Sequence, residues 1–255
     1  MSLKLYVIPA SHPCMTAELM LKRKGIDYKR RDLVTAMHIP VLKAMRFPSR
    51  TVPAIKTDDG RKIQGTREIS RYLDELQPEP PLFPADKRAE VEEAERWGDE
   101  ELQSIPRRLS YFALKSDRSE LKGFMEGYKL GLPASMAAAT AAPIVRAELK
   151  LQKASPDNAR ADLERLPELL EHVDGLLAQG VIGGDEPNAA DYQIAPSVRL
   201  LMAFDQLRPL IDARPAGAWA DKIAPDPGGR FPSGLPEEWI PSSPAPAAPS
   251  SGPPS

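Results

Sequence analysis

Leu3-Lys4-Leu5-Tyr6-Val7-Ile8-Pro9-Ala10-Ser11-His12-Pro13-Cys14 changes its hydrophobic period partway along. Leu3 to Val7 carries apolar residues at alternate positions, which predicts a short strand. From Met15 to Lys24 the apolar residues Ala17, Leu19, Met20 and Leu21 fall at helical spacing. Ser11 therefore stands where a strand hands over to a helix. The first turn of a helix holds unpaired N–H groups and the positive end of the dipole, so an anion, a thiolate included, is stabilised there. A Ser in this position is in most proteins only a helix cap. Function depends on what else the chain brings to it.

The second stretch is Val52-Pro53-Ala54-Ile55-Lys56, which follows the turn former Phe47-Pro48-Ser49-Arg50. Pro cannot donate to a ladder, so this is a poor interior strand. A proline opening a strand, above all with a cis bond, instead leaves the neighbouring backbone free to pair with a ligand. The isomer is not written in the sequence.

The chain has 255 residues, enough for one large domain or two modest ones with a sizeable core. Apolar residues make up 42% and charged residues 27%, the balance of an ordinary globular protein. A net charge of -2 argues against nucleic acid as the main partner, because phosphate binding needs a basic face. Cys14 is the only cysteine, which excludes an intrachain disulfide and suits a reducing compartment. No apolar run approaches the roughly 20 residues needed to span a bilayer. Met1-Ser2-Leu3-Lys4 leads straight into the first strand with no secretory core. A cytoplasmic protein with no membrane partner is expected.

Taken in order, Gly25 stops the first helix, and Asp27 to Leu33 is a second, charged strand near an edge. A short helix over Ile39 to Met45 leads to the Pro53 strand. Asp59-Gly60 marks a hairpin turn, after which Arg61 to Gln64 returns. Thr66 to Leu76 is helical, with Ile69, Tyr72, Leu73 and Leu76 on one face and Thr66 as its N-cap. The order β-α-β-α-β-β-α closes at Gln77-Pro78-Glu79-Pro80-Pro81, a stiff proline linker.

Strand signals then vanish. Lys87 to Lys115 predicts a long helix kinked at Pro106, and Leu121 to Gln152 another, interrupted near Gly131-Leu132-Pro133 and at Pro143. Asn158 to Gln179 is amphipathic through Leu163, Leu166, Leu169, Leu170, Val173 and Leu176, the packed face of a bundle. Asn188 starts a further helix with Asp191 in position to complete a capping box. From 225 to 255 the chain is Pro, Ser, Gly and Ala with little else, which predicts a disordered tail. The expected units are 1–77, a linker at 78–86, an all-helical unit at 87–224, and the tail at 225–255.

Four motifs in this order resemble the cytosolic glutathione S-transferase family, closest to theta-like and related bacterial members. They are Ser11-His12-Pro13-Cys14, Val52-Pro53-Ala54-Ile55, Gly65-Thr66-Arg67-Glu68-Ile69-Ser70-Arg71-Tyr72-Leu73 and Pro187-Asn188-Ala189-Ala190-Asp191. The resemblance covers about residues 3–224. It implies a thioredoxin-like α/β amino-terminal domain followed by an all-α domain, glutathione as co-substrate without a metal, a small electrophile as second substrate, and a homodimer.

By the same resemblance Ser11 donates its hydroxyl to the glutathione sulfur. Val52, ahead of Pro53, pairs through its backbone with the cysteinyl part of the tripeptide. Thr66 and the first helical amides hold the γ-glutamyl carboxylate, and His38 or Arg50 meets the glycyl carboxylate. Gly65 occupies the place where most members carry a Glu or Gln touching the γ-glutamyl amine. Gln64 is the substitute if the correspondence shifts by one. Without either, glutathione loses a contact worth roughly 1.5–3 kcal/mol, and another low-molecular-weight thiol stays open. Trp97, Tyr111, Phe112 and Met136 are candidates for the electrophile pocket.

Three functions follow. The first is a transferase that adds the glutathione thiolate to small apolar electrophiles in detoxification. The second is a glutathione-dependent oxidoreductase or lyase on the same site, which would draw on Cys14. The third is a non-catalytic binding module, with Gly65 as its clue.

Overall fold

Strand β1 (Leu3–Val7) is the spine of a four-stranded sheet in the order β2-β1-β3-β4. It pairs in parallel with β2 (Tyr28–Asp32) and antiparallel with β3 (Ala54–Lys56), which pairs antiparallel with β4 (Lys62–Gln64). The chain is described here from a computed structural model over residues 3–35, 37–118, 120–125, 136 and 141–242. Leu3, Leu5 and Val7 are buried on one face with Met20 and Leu21 of α1 (His12–Arg23) and Ile69 and Leu73 of α3 (Thr66–Leu76). Tyr6 and Ala54 are buried on the other face against Leu42 of α2 (His38–Ala44) and Phe47. A central strand covered on both sides needs a near-continuous apolar run, as Leu5-Tyr6-Val7 supplies. Strand β2 lies at the edge with Lys29, Arg30 and Arg31 exposed, a charge pattern that discourages further pairing.

Helix α1 begins at Ser11, whose side chain accepts from the Cys14 N–H at 3.4 Å, and it ends at Lys24 ahead of Gly25 at φ +62°. Helix α3 differs from expectation. Gly65, not Thr66, is its N-cap, because the backbone there turns through φ +99°, which an L side chain rarely adopts. Thr66 becomes the first helical residue and is buried.

The proline linker is packed rather than free. The buried Lys24 side chain donates to the Asp74 carboxylate and to the carbonyls of Gln77 and Pro80, each at 2.7 Å, and to that of Pro78 at 3.2 Å. Leu82 beyond it is buried, and its carbonyl accepts from the Ala189 N–H at 2.9 Å.

Helices follow: α4 (Arg88–Trp97), α5 (Ser104–Ser116), α6 (Leu121–Met125), α7 (Ala142–Leu151), α8 (Pro156–Ala178), α9 (Ala189–Leu201), α10 (Arg208–Asp212) and α11 (Pro215–Ile223). The single kinked helix expected over 87–115 is corrected. A π-helical turn, Gly98–Leu102, separates α4 from α5, with the Gln103 N–H on the Gly98 carbonyl at 2.9 Å. Pro106 then falls in the first turn of α5, where no intrahelical donor is needed. The turn near 131–133 lies outside the described residues.

Helix α9 is buried along its whole length and packs on α1, α4 and α11. Its capping box forms as the sequence predicts. The Asn188 side chain accepts from the Asp191 N–H, and the Asp191 carboxylate accepts from the Asn188 N–H at 2.9 Å. Asp191 also accepts from the Gly183 N–H and the Trp219 indole, so one carboxylate ties three segments together.

The expectation of a disordered tail from 225 is overturned as far as 242. Phe231 is buried, stacked on Phe204 with ring centroids 4.5 Å apart and tilted against Phe124 at 4.9 Å. Its N–H donates to the Ala203 carbonyl and its carbonyl accepts from Asp205. At Gly229 a Cβ would collide with the Phe124 ring, so the chain crosses α6 at a distance only glycine allows. The buried Phe231 and Leu235, backbone bonds to Ala203 and Asp205, and the Arg230–Asp205 pair outweigh a composition that reads as disorder. Residues 243–255 of the expected tail lie outside the described residues. Among the described residues no helix is long and apolar enough to cross a membrane.

Candidate functional site

A cavity of about 610 Å³ opens where the loops after β1 and β4 and before β3 face α5, α6 and α7. Ser11, His38, Arg50, Val52, Pro53, Gly65 and Thr66 all line it, so the residues singled out in the sequence share one cavity.

Ser11 is half-buried at the front of α1. Its oxygen accepts from the Cys14 N–H, which leaves the hydroxyl proton to donate. Cys14 is buried, and burial pushes its thiol up to about 12, although the Ser11 hydroxyl works the other way. A thiol so placed is almost wholly protonated at neutral pH and shielded from disulfide exchange.

The Val52–Pro53 bond is cis. Strand pairing begins only at Ala54, and among the described residues the N–H and C=O of Val52 have no hydrogen-bond partner. Among the described residues no side chain caps α3, so its first N–H groups are unclaimed at Thr66, which lines the cavity.

His38 is buried at the start of α2, and among the described residues its Nδ1 has no hydrogen-bond partner. Burial lowers its pKa, while the Glu148 carboxylate and the Arg50 backbone act in the opposite direction. Arg50 itself is exposed at the rim.

Gln64 lines the cavity too, but its amide is engaged by the neighbouring loop. Its amide accepts from the Ser49 N–H at 2.7 Å and donates to the Ser49 carbonyl at 2.9 Å and to the Thr51 carbonyl, clamping the loop before Pro53. The acidic group beside Gly65 is Glu68, one turn into α3. A Cβ on Gly65 would run into the Glu68 Oε2 atom. Among the described residues Glu68 has no ion-pair partner, and Asp99 of the π-helical turn lines the same corner. Burial raises the Asp99 carboxyl; Arg67 lowers it, and the Glu68 charge adds to the rise. Two carboxylates without cations of their own form a place for an ammonium group.

Of the expected electrophile-pocket residues only Tyr111 lines the cavity. Trp97 packs on His172 at 4.1 Å, Phe112 on Trp239 at 5.8 Å, and Met136 is exposed. The wall is instead built from Arg107, Leu114, Phe124, Val145, Glu148 and Phe231. Arg107, Tyr111 and Leu114 fall at i, i+4 and i+7 along α5, a spacing visible in the sequence. Which face of α5 meets the cavity is not.

Residues 5–81 match the family model described as the glutathione S-transferase N-terminal domain. A glutathione S-transferase from Rhodospirillum rubrum shares the fold at TM-score 0.59 and 23% identity, with 87% of each chain covered. One from Sinorhizobium meliloti gives TM-score 0.57 at 19% identity over 92% of this chain and 96% of that one. Rice GST1, solved in complex with glutathione, gives TM-score 0.61 at 17% identity over 89% and 91%. No curated protein matches the chain. Residues 5–81 are therefore similar to the glutathione S-transferase N-terminal domain, and the chain as a whole shares the fold of these solved transferases.

Proposed function

We propose that this protein binds glutathione and transfers its sulfur to small apolar electrophiles. The observation that carries the reading is that one cavity holds both the Ser11 hydroxyl and the Val52 backbone, which among the described residues has no hydrogen-bond partner. A peptide-like thiol lying along Val52 brings its sulfur to the front of α1.

The energetics are sufficient. A free thiol near pKa 8.5 is only a few per cent ionised at neutral pH, and each unit of lowering takes about 1.4 kcal/mol. One charge-assisted hydrogen bond and a helix N-terminus together supply roughly one to two units. Ser11 keeps its own proton and holds the thiolate. The thiolate forms the new C–S bond, the leaving group departs with its electron pair, and the thiol proton goes to solvent. The γ-glutamyl carboxylate goes to Thr66 and the first N–H groups of α3. Its amine goes to Glu68 and Asp99, and the glycyl carboxylate to His38 with Arg50 at the rim. A homodimer, a cytoplasmic location and a role in detoxification belong to the same proposal.

Burial of Cys14 weighs against an oxidoreductase acting through that thiol. The test is conjugation of 1-chloro-2,4-dinitrobenzene by wild type and Ser11→Ala. A fall in kcat/KM on the order of 10- to 100-fold is expected from one lost charge-assisted bond, together with a higher pKa for the bound thiol. Equal rates remove Ser11 from the chemistry, and no heat of binding with millimolar glutathione turns the reading toward another thiol or a binding module.

A further inference from the structure

Arg107 stands out among the arginines. Arg108 beside it forms a two-pronged pair with Asp162 at 2.5 and 2.9 Å, and Arg71, Arg96, Arg199 and Arg214 each have a carboxylate within 4 Å. Arg107 lies half-buried on α5 inside the cavity, and among the described residues no carboxylate reaches it. Burial lowers its pKa, while Tyr111, Cys14, Glu148 and Asp99 raise it from a distance. Glu148, the buried acid of the same cavity, has its own hydrogen bond from the Gln152 amide at 2.9 Å. A half-buried guanidinium whose five donors are not taken up by a carboxylate is free to receive an anionic ligand. Past Arg107 the wall is apolar, with Leu114, Phe124, Val145 and Phe231.

We propose that Arg107 is the anchor for an anionic group on the second substrate, so that the preferred electrophiles pair a carboxylate with an apolar body. This rests on the transferase reading and narrows its substrate class. The guanidinium fork matches a carboxylate in two parallel hydrogen bonds, and partial burial strengthens them.

The probe is 4-chloro-3,5-dinitrobenzoate against its carboxamide, each corrected for its uncatalysed rate with glutathione. In both, the C–S bond forms as the C–Cl bond breaks and chloride leaves. Wild type should prefer the carboxylate, and Arg107→Met should lower the carboxylate-to-carboxamide ratio of kcat/KM on the order of 10- to 100-fold. Arg107→Lys, which retains the charge without the fork, should recover part of it. An unchanged ratio overturns the proposal, including the case in which both rates fall together because Arg107 acts on the glutathione sulfur. Calorimetric binding of unreactive 3,5-dinitrobenzoate separates the two readings. Binding that Arg107→Met abolishes, without turnover of either acceptor, upholds the anion site and sinks the transferase. Turnover of both acceptors with equal dinitrobenzoate affinity in wild type and variant does the reverse.

Discussion

Gly65 leaves open the space that the Glu68 carboxylate fills, and the two are one turn apart on the same helix end. The missing acidic side chain at 65 and the acidic side chain at 68 are therefore a single arrangement. A residue larger than Gly at 65 would both strain a backbone at φ +99° and push Glu68 aside.

It follows that Glu68→Gln should weaken glutathione binding on the order of 10- to 100-fold, the loss of one charge-assisted contact of about 1.5–3 kcal/mol. Glutathione lacking the γ-glutamyl amine should bind wild type and variant alike. Titration calorimetry with both ligands decides it. A wild-type preference for the amine that survives Glu68→Gln would move the contact elsewhere.

His12 contributes to an acid limit to stability. It is buried with Nε2 donating to the Gln103 carbonyl at 3.0 Å. Burial holds its pKa well below 6.5, the Arg107 charge adds to that, and the Gln103 bond opposes it. Above about pH 6.5 both folded and unfolded forms are neutral and the imidazole contributes no pH dependence. Below it only the unfolded chain takes up the proton, so stability falls with pH by up to about 1.4 kcal/mol per unit until the folded pKa is reached. His12→Gln retains a donor but cannot titrate. Urea unfolding at pH 8 and pH 5.5 should show a smaller drop for the variant, and an equal drop would absolve His12.

Phe231→Ala removes the ring that joins Phe204 to Phe124 and closes the apolar end of the cavity. A loss of about 3–5 kcal/mol of stability is expected for a buried Phe. KM for an apolar electrophile should rise more than that for glutathione. Unfolding and steady-state kinetics measure the two effects. A cost under about 1 kcal/mol would mean that this segment only rests on the surface.

Much of this was legible in the residues. The switch of period at Ser11, the Asp59-Gly60 turn and the Asn188–Asp191 box are local patterns, and local hydrogen bonding settles them. Gln64 and Glu68 show where that reading stops. Both are polar residues within four positions of Gly65, yet one is spent on the Ser49 and Thr51 backbone and the other, among the described residues, has no ion-pair partner. Nothing in their order along the chain distinguishes them.

By itself the sequence determined the element order of the first 76 residues, the helical character beyond the linker, and the pairing of a helix front with a proline-opened strand, because each follows from period, turn chemistry and capping within a few residues. Only the tertiary structure decided that Arg107 and Phe231 line the cavity while Trp97 and Phe112 do not. Which face of a helix looks inward is set by partners from distant parts of the chain, and a single helical stripe is compatible with several of them.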